Sequence, residues 1–245
     1  MIADLFRPYK VSAVYHLHCA LNARWIESAG WRVAAGFDNP ETEASRVKAG
    51  AGLQDVSSLG KVDVKGTSVE ACLAAFTDLQ DVIAVLPLKP GHVLILTTTG
   101  REEQTIAAIA LLSDRVAGCM HITATTSGQS AFALIGPSSG SVLSGLTSLD
   151  VRPDRFQDGA CAQASVAHVH GTICRRDWGS LPGYLLLVGR DVGEFVWTTI
   201  QEEGHAYGLI PFGVDTERLL APPDASTRPR MSSADVAFTV ASQAS

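Results

Sequence analysis

Two H-x-H pairs, His16/His18 and His168/His170, are the residues best suited to metal chemistry. On a strand, residues two apart share a face, so either pair would turn two imidazoles toward one zinc. Neither has an acidic or Cys ligand at a metal-site spacing. Ordinary strand or strand-edge histidines are therefore the preferred reading, and no metal site is expected. Ser57-Ser58, Ser138-Ser139 and Ser180 lack the G-x-S-x-G context of a nucleophile elbow. Gly-Pro-Ser-Ser-Gly at 136–140 stands where a strand passes into a helix, whose first N–H groups can hold an anion. It has no G-x-x-x-x-G-K-[ST] phosphate loop, and reads as a helix start with Pro in the first turn and Ser hydroxyls as caps. The richest segment runs from Cys174 to Tyr184, with two Arg, one Asp, a Trp and a Tyr around a Gly/Pro loop. Flat rings beside a cation suit a conjugated ligand carrying carboxylates. A solvated hairpin with an aromatic anchor has the same composition, which does not choose between the two.

The elements that must position these residues follow from periodicity. Lys61 to Lys65 alternates polar and apolar, the mark of a half-buried strand, and Gly66 stops it. Val69 to Phe76 has helical spacing, with Val69, Cys72, Leu73 and Phe76 on one face. A loop with Pro87 and Pro90 leads to a β-rich run from His92 to Thr98. A second helix over 101–112 then carries Ile106, Ile109 and Ala110. The order recurs. Phe132 to Ile135 reads as a strand, and 138–146 as a helix carrying Val142, Leu143 and Leu146. Residues 164–176 and 184–188 read as two further strands, and 192–203 as a helix burying Val192, Phe195, Val196 and Ile200. Two strand–helix–strand–helix copies, with an extra strand in the second, predict an α+β fold with helices on one face of a largely antiparallel sheet. Residues before Leu59 show no clear period. Residues 221–245, rich in Ala, Ser and Pro, read as a tail or a partner-clasping arm after one domain over 1–220.

Composition narrows the function classes. A chain of 245 residues with 46% hydrophobic and 18% charged residues has ample material for a core. A net charge of −6 without basic clusters argues against a nucleic-acid partner. No run approaches the roughly 18 apolar residues of a membrane span, and the N-terminus lacks the features of a signal peptide. Five scattered cysteines without C-x-x-C suit reduced thiols, so a cytoplasmic location is expected.

Several segments resemble, in order and spacing, the aminomethyltransferase (glycine-cleavage T-protein) superfamily, which handles folate-bound one-carbon units. H18-C-A-L-N-A-R24 with A29-G-W31 is similar to the family's H-x-A-L-G-A-R … A-G-W. A51-G-L-Q-D-V-S-S-L-G-K-V-D-V-K-G66 is similar to A-G-L-x-D-x-S-x-x-G-[KR]-x-x-V-x-G, the most specific of the set. L88-K-P-G-H-V-L-I-L resembles the strand before the family's second helix. F132-A-L-I-G-P-S-S-G-S-V-L-S-G-L resembles A-L-Q-G-P-x-A-x-x-V-L. G208-L-I-P-F-G-V-D-T-E-R-L-L resembles the closing G-L-x-P-x-G … D-T-L-R-L-E. The likeness covers about Tyr15 to Leu220. It implies two ferredoxin-like strand-helix repeats forming the family's folate-binding-domain fold. It also implies folate contacts at Asp55, Arg176, Trp178, Tyr184 and Arg218.

Three departures qualify the resemblance. The family's β-hairpin with its acid/base Asp is expected to be missing, because Thr77 to Val82 runs almost directly into Val85 to Gly91. The family's R-x-G-[YF]-T-G-E-x-G-[FY]-E would place a pteridine-binding Glu at Leu181, which cannot accept the pterin's N–H bonds. The C-terminal β-barrel is expected to be absent. This pattern looks most like the gamma subunit of heterotetrameric sarcosine oxidase. That likeness implies a structural subunit of a folate-linked, flavin-dependent oxidase or demethylase acting on an N-methylated amine or amino acid. No catalytic residue is then expected in this chain; flavin belongs to larger flavin/folate partner subunits, and tetrahydrofolate is the implied cofactor. The alternative is a free-standing tetrahydrofolate-dependent methyl- or aminomethyltransferase. A third reading, an assembly factor like the iron–sulfur folate proteins, lacks their K-G-C-Y-x-G-Q-E stretch at 175–183.

Overall fold

The computed structural model describes residues 9–220, so the expected tail at 221–245 lies outside the described residues. The chain opens with α1 (Tyr15–Ala20) and the hairpin β1 (Arg24–Ser28) and β2 (Trp31–Gly36), then α2 (Pro40–Ala49) and β3 (Gly52–Asp55). A first repeat follows as β4 (Gly60–Gly66), α3 (Val69–Thr77), β5 (Val82–Lys89), β6 (His92–Thr97), α4 (Glu102–Ser113) and β7 (Met120–Ala124). The second contains β8 (Gln129–Ile135), α5 (Ser139–Leu146), β9 (Cys161–Val166), β10 (Val169–Arg175), β11 (Gly183–Gly189), α6 (Gly193–Gly204) and β12 (Ile210–Pro211). Then comes α7 (Val214–Leu220).

The first repeat forms a four-stranded sheet in the order β5-β6-β4-β7, all antiparallel, which is the βαββαβ ferredoxin-like arrangement. The second, joined by β3 from before the first repeat, forms a six-stranded sheet in the order β12-β3-β8-β11-β10-β9, antiparallel except for the short parallel pairing of β12 with β3. Two ferredoxin-like repeats, with an extra strand in the second, are therefore present. They make two sheets instead of one.

Strand alternation assigns each sheet two apolar faces. On β8 and β11, Phe132, Leu134, Tyr184 and Leu186 face α5 and α6, meeting Val142, Leu143, Val196, Trp197 and Ile200. Ala131, Ala133, Leu185 and Leu187 on the reverse face join Ala84, Leu86, Leu94 and Leu96 of the small sheet. The outer face of the small sheet packs Val62, Val64, Val93 and Ile95 under Val69, Cys72, Phe76 and Ile109 of α3 and α4. The layers thus run helix, sheet, sheet, helix.

Particular expectations change at the element level. The strand expected over 164–176 is a hairpin, turned by Ala167 and His168, both with positive φ (50° and 66°). The loop expected around Pro87 is β5. It is an edge strand with a register irregularity at Pro87–Lys89, where a residue without N–H is tolerated. The Ser hydroxyls at 138–139 do not cap α5; the Ser139 hydroxyl donates to the Pro182 carbonyl. Phe195 is 52% exposed, and Trp197 takes its expected place in the core. Ala110 on α4 is exposed.

The last elements close on the first. Glu43 of α2, 1% exposed, accepts the N–H groups of Phe37 (2.6 Å) and Asp38 (2.7 Å) at Oε1. Its Oε2 accepts from Gly213 N–H (3.3 Å) and the Thr216 hydroxyl. Gln54 of β3 likewise donates to Glu217 of α7 (2.9 Å). No helix among the described residues is long and apolar enough to cross a membrane.

Candidate functional site

The most specific segment of the sequence, 51–66, folds into a buried polar cluster. Asp55 ends β3, and its Oδ1 accepts the Ser57 N–H (3.0 Å), which turns the chain toward β4. The Ser57 hydroxyl exchanges hydrogen bonds with the main chain of Ala131 on β8, joining the two repeats. Lys61 is fully buried and donates its ammonium to the carbonyls of Ser57 (2.9 Å) and Leu59 (3.0 Å). Burial pulls its pKa down to about 8, against the opposing pull of Asp55 and Glu102. Its backbone N–H donates to Thr126 Oγ1, whose hydroxyl donates to Glu102 (2.8 Å). Gly60 is required because a Cβ there would strike the Thr97 hydroxyl and the Glu102 side chain.

His18 approaches the same cluster from α1. Its Nδ1 lies 4.0 Å from Asp55 Oδ2, and its ring stands edge-on to Trp197 (4.9 Å between centroids) and Phe37 (5.2 Å). Burial lowers its pKa, partly offset by Asp55. His18 at 1% exposure, Lys61 at 0% and Asp55 with a 10% exposed side chain are close to shut from solvent. Such a set holds a strand junction more readily than it meets a substrate.

The second cluster is the β10–β11 connection. Arg175, not its neighbour, is the buried cation. Its Nε donates to Asp177 Oδ1 (2.6 Å), and its Nη1 donates to the Tyr184 hydroxyl (3.1 Å). That hydroxyl in turn donates to the Val151 carbonyl (3.0 Å). Burial raises the Tyr184 pKa, and the ring belongs to the core under α5 and α6. Arg176 instead lies over Trp178, 6.0 Å from its centroid, and Trp178 and Leu181 pair across the turn. Both pack on the core between the sheets. Of the expected folate contacts, Arg176 and Trp178 are brought together. Tyr184 faces the opposite side of the sheet, with its hydroxyl engaged in the fold. Asp55 belongs to the strand junction, and Arg218 on α7 pairs with Asp215 (3.4 Å).

The H-x-H pairs do not present paired imidazoles. His16 and His18 lie on a helix, where residues two apart diverge; His16 bonds Glu194 (3.0 Å) while His18 is buried. His168 sits in the β9–β10 turn and His170 in β10. The segment where the resemblance places an acid/base group is the short turn 78–81 between α3 and β5. It carries Asp81 at φ 67°, paired with Arg101 (3.7 Å).

A pteridine presents N–H donors that need an acceptor. At the position implied for that acceptor, half-buried Leu181 offers only hydrocarbon and packs against the intersheet core. The residues present therefore do not fit a pteridine at this point.

The GCVT N-terminal domain family matches residues 77–221. An aminomethyltransferase of Bacillus subtilis (strain 168) is 25% identical, covering 84% of this chain and 62% of its own length. One from Streptomyces avermitilis is 27% identical over 86% of this chain and 62% of its own. The chain thus spans about three fifths of the length of these curated relatives. Among solved structures, the glycine cleavage system aminomethyltransferase T from Bartonella henselae matches with a TM-score of 0.68. Its identity is 16%, covering 86% of this chain and 61% of that one. A chain of heterotetrameric sarcosine oxidase from Corynebacterium sp. U-96 matches with a TM-score of 0.57 at 17% identity. That match covers 80% of this chain and 95% of the oxidase chain. At such identities the structures show a common fold.

Proposed function

The chain belongs to the GCVT N-terminal domain family, and from that premise we propose that it is a T-protein-fold subunit, structural rather than catalytic. Its assembly would be a folate-linked, flavin-dependent oxidase or demethylase acting on an N-methylated amine or amino acid. The observation that carries this reading is Leu181, an apolar side chain packed on the intersheet core where a folate-handling relative is expected to hold its pteridine acceptor. The match to 95% of a chain of heterotetrameric sarcosine oxidase supports it, since the same fold serves there within a multi-subunit oxidase. Flavin and the working folate site belong, in this reading, to larger partner subunits, and the assembly sits in the cytoplasm.

The names of the curated relatives favour the second reading, a tetrahydrofolate-dependent aminomethyl- or methyltransferase. Under it, Arg176 and Trp178 would face the folate. Calorimetry with tetrahydrofolate separates the two. The first reading expects no saturable binding below about 1 mM, which corresponds to less than roughly 4 kcal/mol. It also expects no transferase turnover by the isolated chain, and a stable heteromer on co-expression with neighbouring gene products. Tight folate binding with turnover by the isolated chain would establish the second.

A further inference from the structure

Two cysteines far apart in sequence face each other across one pair of strands. The antiparallel register of β9 and β10 sets Cys161 directly opposite Cys174. The backbone bond beside them runs from Arg175 N–H to the Ala160 carbonyl (2.8 Å). The pair itself is therefore a non-hydrogen-bonded position, where Cα atoms come to about 4.5 Å and side chains lie closest. Both side chains turn to the intersheet core. Cys174 is 1% exposed within it, and Cys161 is half-buried at its border. The Cys161 thiol donates to the Gly159 carbonyl (3.8 Å); burial first, and then the neighbouring Cys161 thiol, push the Cys174 pKa up. Of the others, Cys72 is buried on the inner face of α3, while Cys19 and Cys119 are exposed.

We propose that Cys161 and Cys174 form a redox-active pair, oxidised by a hydroperoxide to a cross-strand disulfide and returned to thiols by a small dithiol. Cys161, the thiol that solvent reaches, attacks hydrogen peroxide as its thiolate and becomes a sulfenic acid, releasing one water. The Cys174 sulfur displaces the new hydroxyl, which leaves with the Cys174 proton as a second water. Two thiols lose two protons and two electrons, and one peroxide takes them up to become two waters. Cβ atoms of cross-strand pairs stand about 4.5–5.5 Å apart, against about 3.8 Å in a relaxed disulfide. Closing the bond must draw the strands together. β9 is an edge strand and gives more readily than the interior β10. The resulting strain makes the bond easy to reduce, which suits a reversible site better than a structural one.

The test uses the full chain carrying Cys19→Ser and Cys119→Ser, treated with hydrogen peroxide and then alkylated under denaturing conditions. Alkylatable thiols should fall from three to one per chain. The tryptic peptide 156–175, which contains both cysteines, should become lighter by two hydrogens and resist alkylation until dithiothreitol is added. Adding Cys174→Ser should instead leave Cys161 as a sulfenic acid trapped by dimedone. The proposal is overturned if Cys161 in the parent chain is trapped by dimedone, or reaches the sulfinic state, while Cys174 still alkylates. It also fails if both thiols survive peroxide that oxidises Cys19 and Cys119 in the unsubstituted chain.

Discussion

Lys61 is where a single residue's chemistry is most exposed to measurement. Its folded pKa of about 8 lies below the ordinary lysine value of 10.5. The unfolded chain therefore binds the proton more tightly, and stability rises with pH between those values. Below pH 8 the full handicap of a buried ammonium is present. Lys61→Met removes that ammonium. Denaturant unfolding at pH 7 and pH 9.5 should show the wild type gaining about 2 kcal/mol on the variant as pH rises; a gap that ignores pH would contradict this. Asp55 accepts the Ser57 N–H and lies 4.0 Å from buried His18, so Asp55→Ala should cost about 1–3 kcal/mol, as for a buried donor left without its acceptor. Asp55→Asn keeps the acceptor for Ser57 N–H and should cost less, and far-UV melts can rank the two. The sequence made Asp55 conspicuous through its motif, but as a ligand contact. Its part in the strand junction depends on His18, 37 positions earlier, and on Glu102, which local spacing does not connect. The same holds for Arg175 and Arg176: adjacent strand residues point to opposite faces, so one is buried against Tyr184 and the other covers Trp178.

Elements with a clean period were legible, and those defined by turns were not. The helices over 69–77 and 139–146 lie close to where their apolar spacing placed them. α2 carries its start signal openly, since Asn39 accepts the N–H groups of Glu41 and Thr42 and Pro40 follows at the first position. Most of its residues are polar or charged, however, so the apolar pattern alone passes over it. The β9–β10 hairpin is hidden in the sequence because its turn residues, Ala167 and His168, are not the Asn and Gly that left-handed turns favour. Exposed His168 at φ 66° bears a backbone cost that glycine would relieve. His168→Gly should therefore raise stability by about 0.5–1 kcal/mol, read as a higher denaturation midpoint with unchanged slope. Gly213, just before α7, gives the opposite case. A Cβ there would run into the main chain of Ala35 and Gly36. Gly213→Ala should destabilise by about 3 kcal/mol and loosen α7 first, visible as faster hydrogen exchange over 214–220.

Across the whole molecule, the decisive interaction is sheet against sheet, and no run of sequence encodes it directly. Repeated strand–helix order pointed to two units, and the family resemblance to their ferredoxin-like form, whereas the meeting of Ala131, Ala133 and Leu187 with Leu86, Leu94 and Leu96 depends on tertiary placement. Because both sheets share that core, they should unfold together. Leu187→Ala should cost about 2–5 kcal/mol and lower a single transition, monitored by tryptophan fluorescence and circular dichroism alike; separated transitions would show two independent units. Glu43 sets the order in which this architecture can be finished. Two of its four donors, Gly213 and Thr216, lie about 170 positions further on. A ribosome adding roughly 5–20 residues per second would hold the first hairpin and α2 without their closing partners for about 10–30 s. During that interval the carboxylate must remain hydrated or find a temporary ally, such as a chaperone. For the same reason, the yield of native protein should depend on translation speed between the codons for Glu43 and Thr216.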